Sequence, residues 1–198
     1  MNILQKSAGG LFLVPIETRL LSDRILLLEG MLDCENANEL CMALLYLKKE
    51  DPKAPITILI NSEGGEISAG FMIMDCIRTC GVPVHTVCIG KAYSMAALIL
   101  ASGTLSRSIL PHGTVLIHEP RLGEQISGTS SSMKVVSDTL LAVKKKVNQI
   151  LSELTGQSEE VIDEATCYDH FMDPDEAKSF GLVDQIITFD QILEEKNG

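Results

Sequence analysis

Tryptophan is absent, and aromatic residues of all kinds make up only 4% of the 198 residues. A core must therefore be packed from Leu, Ile, Val, Met and Ala. Positive charge is scarce too: 16 Lys and Arg stand against 27 Asp and Glu, a formal net charge of −11. A surface of that sign repels phosphate backbones and anionic lipid heads, which argues against nucleic-acid and membrane partners. The longest fully apolar run near the middle, Met95 to Ala101, falls far short of the ~20 residues a spanning helix needs. Lys6 precedes only a short patch, Leu11 to Ile16, before Glu17, which makes a poor secretory signal. A cytoplasmic location is expected. Six cysteines (34, 41, 76, 80, 88 and 167) include no Cys-x-x-Cys pair. Cys76, Cys80 and His85 lack the tight clustering of a zinc site, so free thiols are expected, with no metal and no cofactor. No Gly-x-x-x-x-Gly-Lys-[Ser/Thr] loop is present, which excludes nucleotide binding by that route.

What is present is a rhythm of strands and helices compatible with a single α/β domain over residues 1–198. The first 15 residues read as a flexible segment around Ser7-Ala8-Gly9-Gly10. Arg24 to Glu29 is a buried-strand candidate ended by Gly30. A helix is expected from Glu35 to Lys49, capped by Asp33 or Asn36. Ile56 to Ile60 is a β-branched strand that needs cover on both faces. Asn61 to Gly65 reads as a turn opening a helix through Cys80. Pro83 to Ile89 is the next strand, and Gly90 leads to a helix from Ser94 to Ser102 with Gly103 as its cap. Thr114 to Ile117 is a further strand. After a Gly/Ser-rich stretch, a long helix is predicted from Met133 to Thr155, with Val136, Leu140, Val143, Val147, Ile150 and Leu154 forming a narrow apolar seam. Asp175 to Phe180 reads as a short helix and Leu182 to Ile187 as the last strand. Alternation of this kind implies parallel strands with right-handed crossovers.

Ser94 stands where a strand and a glycine turn hand over to a helix, a placement that sets a hydroxyl beside free backbone N–H groups. By itself a Ser there is an ordinary cap, and the surrounding residues are not the Gly-x-Ser-x-Gly elbow. Gly64-Gly65 after the preceding strand could bring further N–H groups to the same sheet edge, though a plain turn explains it equally. A hydroxyl nucleophile needs a base. His112 sits in a turn, His85 within a strand and His170 in an irregular stretch, whereas His118 ends the apolar strand TVLI. Asp169, Asp173, Asp175 and Asp184 all qualify by type to orient it, and spacing does not rank them.

The chain resembles the Clp protease proteolytic subunit family over nearly its whole length. Ile60-Asn61-Ser62-Glu63-Gly64-Gly65, Gly90 to Gly103 (GKAYSMAALILASG), Leu116-Ile117-His118-Glu119-Pro120 and Tyr168 to Met172 followed by Gly181-Leu182-Val183-Asp184 carry the likeness, in the family's order. The resemblance implies a serine endopeptidase with a triad of Ser94, His118 and Asp169 and an oxyanion hole from the N–H groups of Gly65 and Met95. It implies the Clp/crotonase fold: stacked ββα turns with parallel sheets and a protruding strand–helix handle at about 121–155. It implies two stacked heptamers, a homo-oligomeric tetradecamer closing a chamber. Unfolded polypeptides would be fed to it by a separate Clp AAA+ ATPase that alone uses ATP. An extended peptide would lie as an added strand along Gly64, Gly65, Glu66 and Ile67 on one side and Arg121, Leu122 and Gly123 on the other.

Several positions depart from the family pattern. Glu63 replaces Pro, and Tyr93 and Ala96 replace smaller residues, which would narrow the substrate pocket. Glu119 replaces Gln at the handle base, and Cys167-Tyr168 stand where many members carry an Asp-Arg pair. Thr57, Leu59 and Thr79 fall where many present aromatics to the ATPase. These departures motivate a second reading, a regulatory or structural subunit that depends on a second isoform in a mixed barrel. A third, a crotonase-type acyl-CoA enzyme, shares the fold but has no use for a Ser–His–Asp set. That third reading predicts thermal stabilisation by an acyl-CoA; none is expected.

Overall fold

Residues 2–7 and 10–15 pair as antiparallel strands within the segment expected to be flexible. β1 (Asn2–Ser7) pairs with β2 (Gly10–Pro15) in register from Asn2↔Pro15 to Ser7↔Gly10. Gly10 opens the second of two runs that satisfy each other's backbone groups. Burial does not hold this strand pair, since Leu4, Leu11, Phe12 and Leu13 are all exposed. The computed structural model describes residues 1–7, 10–123 and 127–192, so Ala8 and Gly9 of the predicted segment lie outside the described residues, as do positions 124–126 of the predicted handle. Helix α1 (Ile16–Ser22), which carries no buried residue, leads from β2 toward the sheet.

The core is a seven-stranded, mostly parallel sheet. β3 (Ile25–Leu32), β4 (Ile56–Gly65) and β5 (Val84–Tyr93) lie side by side, followed on one path by β6 (Ser106–Ile109) and β9 (Gln185–Ile186). β7 (Thr114–Ile117) pairs with β5 and with β8 (His170–Met172), the one antiparallel neighbour in this sheet among the described residues. Ile56, Ile58, Ile60, Val84, Val87 and Cys88 are completely buried, as strands covered on both faces must be. Each such side chain contributes roughly 1.5–3 kcal/mol.

The strands run further than their apolar cores suggest. β3 passes through Gly30 with a register shift before Met31, and β4 continues through Asn61–Gly65, predicted as a turn. β5 changes partner along its length: His85 to Cys88 pair with β6, and Lys91 to Tyr93 pair with β7. Between them, a Cβ on Gly90 would sit 2.6 Å from Asn61 Oδ1. One strand serving two successive neighbours in this way is how the stacked-turn architecture expected from the resemblance is built. The last strand is only Gln185–Ile186, although the Asp184 N–H donates to the Arg107 carbonyl at 2.7 Å and the Ile187 N–H to the Ile109 carbonyl at 3.0 Å. The Asp184 carboxylate accepts from the Arg107 N–H at 2.8 Å and from its guanidinium.

Helices α2 (Cys34–Glu50) and α3 (Ile67–Thr79) pack together on the sheet. Both predicted caps of α2 act at once: Asp33 accepts from the N–H groups of Glu35 and Asn36, while the Asn36 side chain accepts from the Asp33 N–H at 3.1 Å. Helix α4 (Met95–Ala101) is buried along its whole length. Gly103 is not its left-handed cap; Ser102 closes the helix, and Gly103 is needed because a Cβ there would lie 2.5 Å from Thr86 Oγ1. The long helix α5 begins earlier than predicted, at Ser130, because Thr129 caps it, and runs to Thr155. Only Val147, Asn148 and Leu151 are buried in it, so the predicted seam touches the core in the C-terminal half alone. No strand precedes it among the described residues of 121–129. α6 (Glu159–Thr166), unseen in the sequence, and α7 (Pro174–Phe180) complete the chain.

Glycine supplies a stability test. Gly64 (φ +78°) and Gly81 (φ +72°) share a left-handed backbone, but a Cβ meets Tyr93 O at 2.4 Å in the first and open space in the second. Gly81→Ala should cost about 1–2 kcal/mol in chemical denaturation, and Gly64→Ala roughly 3 kcal/mol or more.

Candidate active site

Two backbone turns are pressed together at the C-terminal ends of β4 and β5. Gly64 faces the backbone of Tyr93 and Met95, and a Cβ on Gly65 (φ +151°) would meet Leu32 O at 2.2 Å. Ser62 shapes the approach: its Oγ donates to the Gly30 carbonyl at 2.6 Å and accepts from the Gly64 N–H at 3.0 Å. Opposite, Ser94 has φ +56° and ψ −122°, a conformation that costs a non-glycine residue roughly 1–3 kcal/mol. Its hydroxyl does not cap α4, so the ordinary role of a Ser at a helix start is not the one it plays. The Ser94 N–H donates to the Leu116 carbonyl at 2.8 Å, fastening the turn to β7 two residues before His118. Met95 follows as the first residue of α4, where a backbone N–H has no carbonyl within its own helix.

His118 follows β7, and the antiparallel ladder to β8 ends at Ile117↔His170. One residue further along that register, His118 and Asp169 stand opposite each other. Their Nδ1 to Oδ1 separation is 3.9 Å, too long for a hydrogen bond. His118 Nδ1 is buried without a hydrogen-bond partner among the described residues. Asp169 instead pairs with the Arg121 guanidinium. The other carboxylates considered are engaged or remote: Asp173 caps α7, Asp184 holds Arg107, and Asp175 is exposed at the start of α7. Among the other histidines, His85 is buried with Nε2 2.9 Å from Ser108 Oγ, His170 pairs with Glu176 at 2.7 Å, and His112 is exposed in a turn.

A cleft of about 240 Å³ joins these parts, lined by Gly65, Ser94, Met95, His118 and Arg121 together with Met31, Glu63, Ile67, Leu98, Pro120 and Val147. Of the predicted peptide-contacting residues, Gly65, Ile67 and Arg121 face it, while Gly64, Glu66, Leu122 and Gly123 flank it. Met31 and Val147 escaped sequence reasoning because they come from elements remote from Ser94 in the chain, and Leu98 because it reads as a core residue of α4. Tyr93 does not narrow the cleft, nor does the buried Ala96; the Tyr93 ring packs edge-on against Phe171 at 5.7 Å. Glu63 does line it, and its pairing with Lys91 holds its carboxyl below the usual range. Glu119 lies at the base of α5, where Lys144 bridges it and Asp163 at 3.0 Å each.

Burial, reinforced by Arg121, pushes the His118 imidazole below its ordinary value of 6.5, against the pull of Asp169 and Glu119. It is therefore neutral at pH 7 and able to accept a proton. A hydroxyl on a strained turn and a neutral imidazole facing one cleft, with a carboxylate near the imidazole, are the parts of nucleophilic acyl transfer.

A family model described as Clp protease matches residues 9–190. The chain is also 43% identical over 187 residues to the ATP-dependent Clp protease proteolytic subunit 2 of Chlamydia pneumoniae, covering 94% of this chain and 91% of that protein.

The His118 imidazole resonances should titrate with a midpoint below 6.5. Because the unfolded chain takes up this proton first, His118 should also lower stability as pH falls below about 6.5. A midpoint above 6.5 would show a His118 already paired with Asp169.

Proposed function

The chain belongs to the Clp protease family, a family of peptide-bond hydrolases, and we propose that Ser94, His118 and Asp169 perform its hydrolysis. The observation that carries this reading is the strained Ser94 turn, fastened by its N–H to β7 beside His118 and leaving the hydroxyl uncommitted to any cap. His118 Nε2 takes the Ser94 proton as the oxygen attacks a peptide carbonyl. The developing oxyanion is received by the N–H groups of Gly65 and Met95, worth roughly 3 kcal/mol per donor. His118 then protonates the leaving amine, and water releases the acyl-enzyme by the same route. Asp169 holds the imidazole tautomer once it reaches Nδ1. The substrate peptide runs as an added strand beside Gly65–Ile67 and 121–123.

In this reading the subunit works within a closed two-ring barrel on unfolded polypeptides delivered by a separate AAA+ ATPase. The related Chlamydia protein's name, an ATP-dependent proteolytic subunit numbered 2, supports both an ATPase and a second isoform. One observation favours a partner-dependent variant of this function: Asp169 is paired with Arg121 and stands 3.9 Å from His118. A neighbouring subunit that draws Arg121 away would then complete the triad.

Purified protein should cleave a short fluorogenic apolar peptide, which needs no ATPase to enter a chamber. Ser94→Ala should lower kcat by about a thousandfold or more. Undiminished cleavage by that variant would end the proposal. Activity that appears only on mixing with a second isoform would select the partner-dependent form.

A further inference from the structure

Arg121 lines the cleft, yet its one described contact is with Asp169. A guanidinium carries five N–H donors, and among the described residues only Nη2 is engaged. The side chain is 59% exposed, so the remaining donors are open to the cleft and its mouth. His118 is in the opposite condition: its Nδ1 is buried, has no partner among the described residues, and stands 3.9 Å from the same carboxylate oxygen. One carboxylate thus lies between two donors and serves the exposed one. Such an exposed ion pair is weak and exchanges readily. A bond to the buried imidazole would instead satisfy a group that is costly to leave unmade.

We propose that Arg121 is a specificity-determining and positioning residue, which receives a substrate carboxylate in the cleft and, by changing partners, releases Asp169 to His118. The proposal rests on the reading of Ser94, His118 and Asp169 as the reacting set. A carboxylate is the group that matches a guanidinium fork. Among the described residues Arg121 is also the one Lys or Arg lining the cleft, and Lys91 is held by Glu63. In a chain of net charge −11, with Glu63 also lining the cleft but paired to Lys91, this guanidinium is the described lining group that would draw a carboxylate in. The carboxylate can come from an acidic side chain or from a peptide's own C-terminus.

The test compares three peptides: one with an internal Glu and an amidated end, the same with Gln for Glu, and the Gln peptide with a free C-terminal carboxylate. Wild type, Arg121→Gln, Arg121→Lys and Ser94→Ala are assayed on each. Wild type should favour a carboxylate-bearing peptide by about fivefold in kcat/KM, and the favoured one identifies the source. Arg121→Gln should erase the preference by raising KM for that peptide while increasing kcat on the neutral one. Arg121→Lys should keep part of the preference. A preference that survives Arg121→Gln, or a kcat on the neutral peptide that falls, overturns the proposal. If wild type cleaves none of the peptides, the rate at which a neutral fluorophosphonate labels Ser94 decides. Faster labelling of Arg121→Gln supports the proposal, and equal or slower labelling overturns it. Cleavage persisting in Ser94→Ala would sink the reacting set itself, a result distinct from Ser94-dependent cleavage indifferent to residue 121.

Discussion

The close approach of two stretches of backbone governs this molecule. Gly64 lies where any side chain would overlap Tyr93 O and crowd Met95 N, and Gly65 lies equally close to Leu32. The ends of β3, β4 and β5 can meet only because two successive residues carry no Cβ and tolerate positive φ. The Ser94 turn is held against this surface from one side and by Leu116 from the other. Strain at Ser94 is sustained because a completely buried α4 and two strand ends determine the turn together. The position of the hydroxyl is thus a product of backbone packing, and side chains supply the rest.

Electrostatics at the cleft are less settled than its geometry. His118 is desolvated enough to favour its neutral form, but the carboxylate opposite it is occupied by Arg121. In a strongly acidic chain the position of one guanidinium matters disproportionately. Arg121 raises the cost of protonating His118 and also restrains Asp169, so the same residue affects the base and its orientation. Glu119, pinned by Lys144 to Asp163, ties the residue after His118 to the base of α5.

Strand cores and helix registers were readable in the sequence because they depend on local signals, whereas Ser94 and His118 were singled out by the family likeness. β-branched runs, helical spacing and capping residues are determined within a few neighbours. Asp33 and Asn36 show the limit of that reading, since each was an adequate cap alone and only the fold uses both. Other elements were invisible for physical reasons. β8 is three residues long and has no pattern of its own; it exists because β7 offers an edge. The N-terminal strand pair has no buried residue among the described ones, so hydrophobic patterning carried no trace of it. Strands β3 and β4 outrun their apolar segments because backbone pairing continues where side-chain burial ends.

The sequence by itself determined an acidic, tryptophan-poor α/β chain and a family likeness, and that likeness named a candidate serine and histidine. Those properties are written in composition and in motifs a few residues long. Tertiary structure decided which carboxylate stands opposite His118, through a ladder joining Ile117 to His170. It also decided that this carboxylate is held by Arg121, 48 residues away in the chain. No local pattern encodes such a competition, because it depends on distances between residues that only folding brings together.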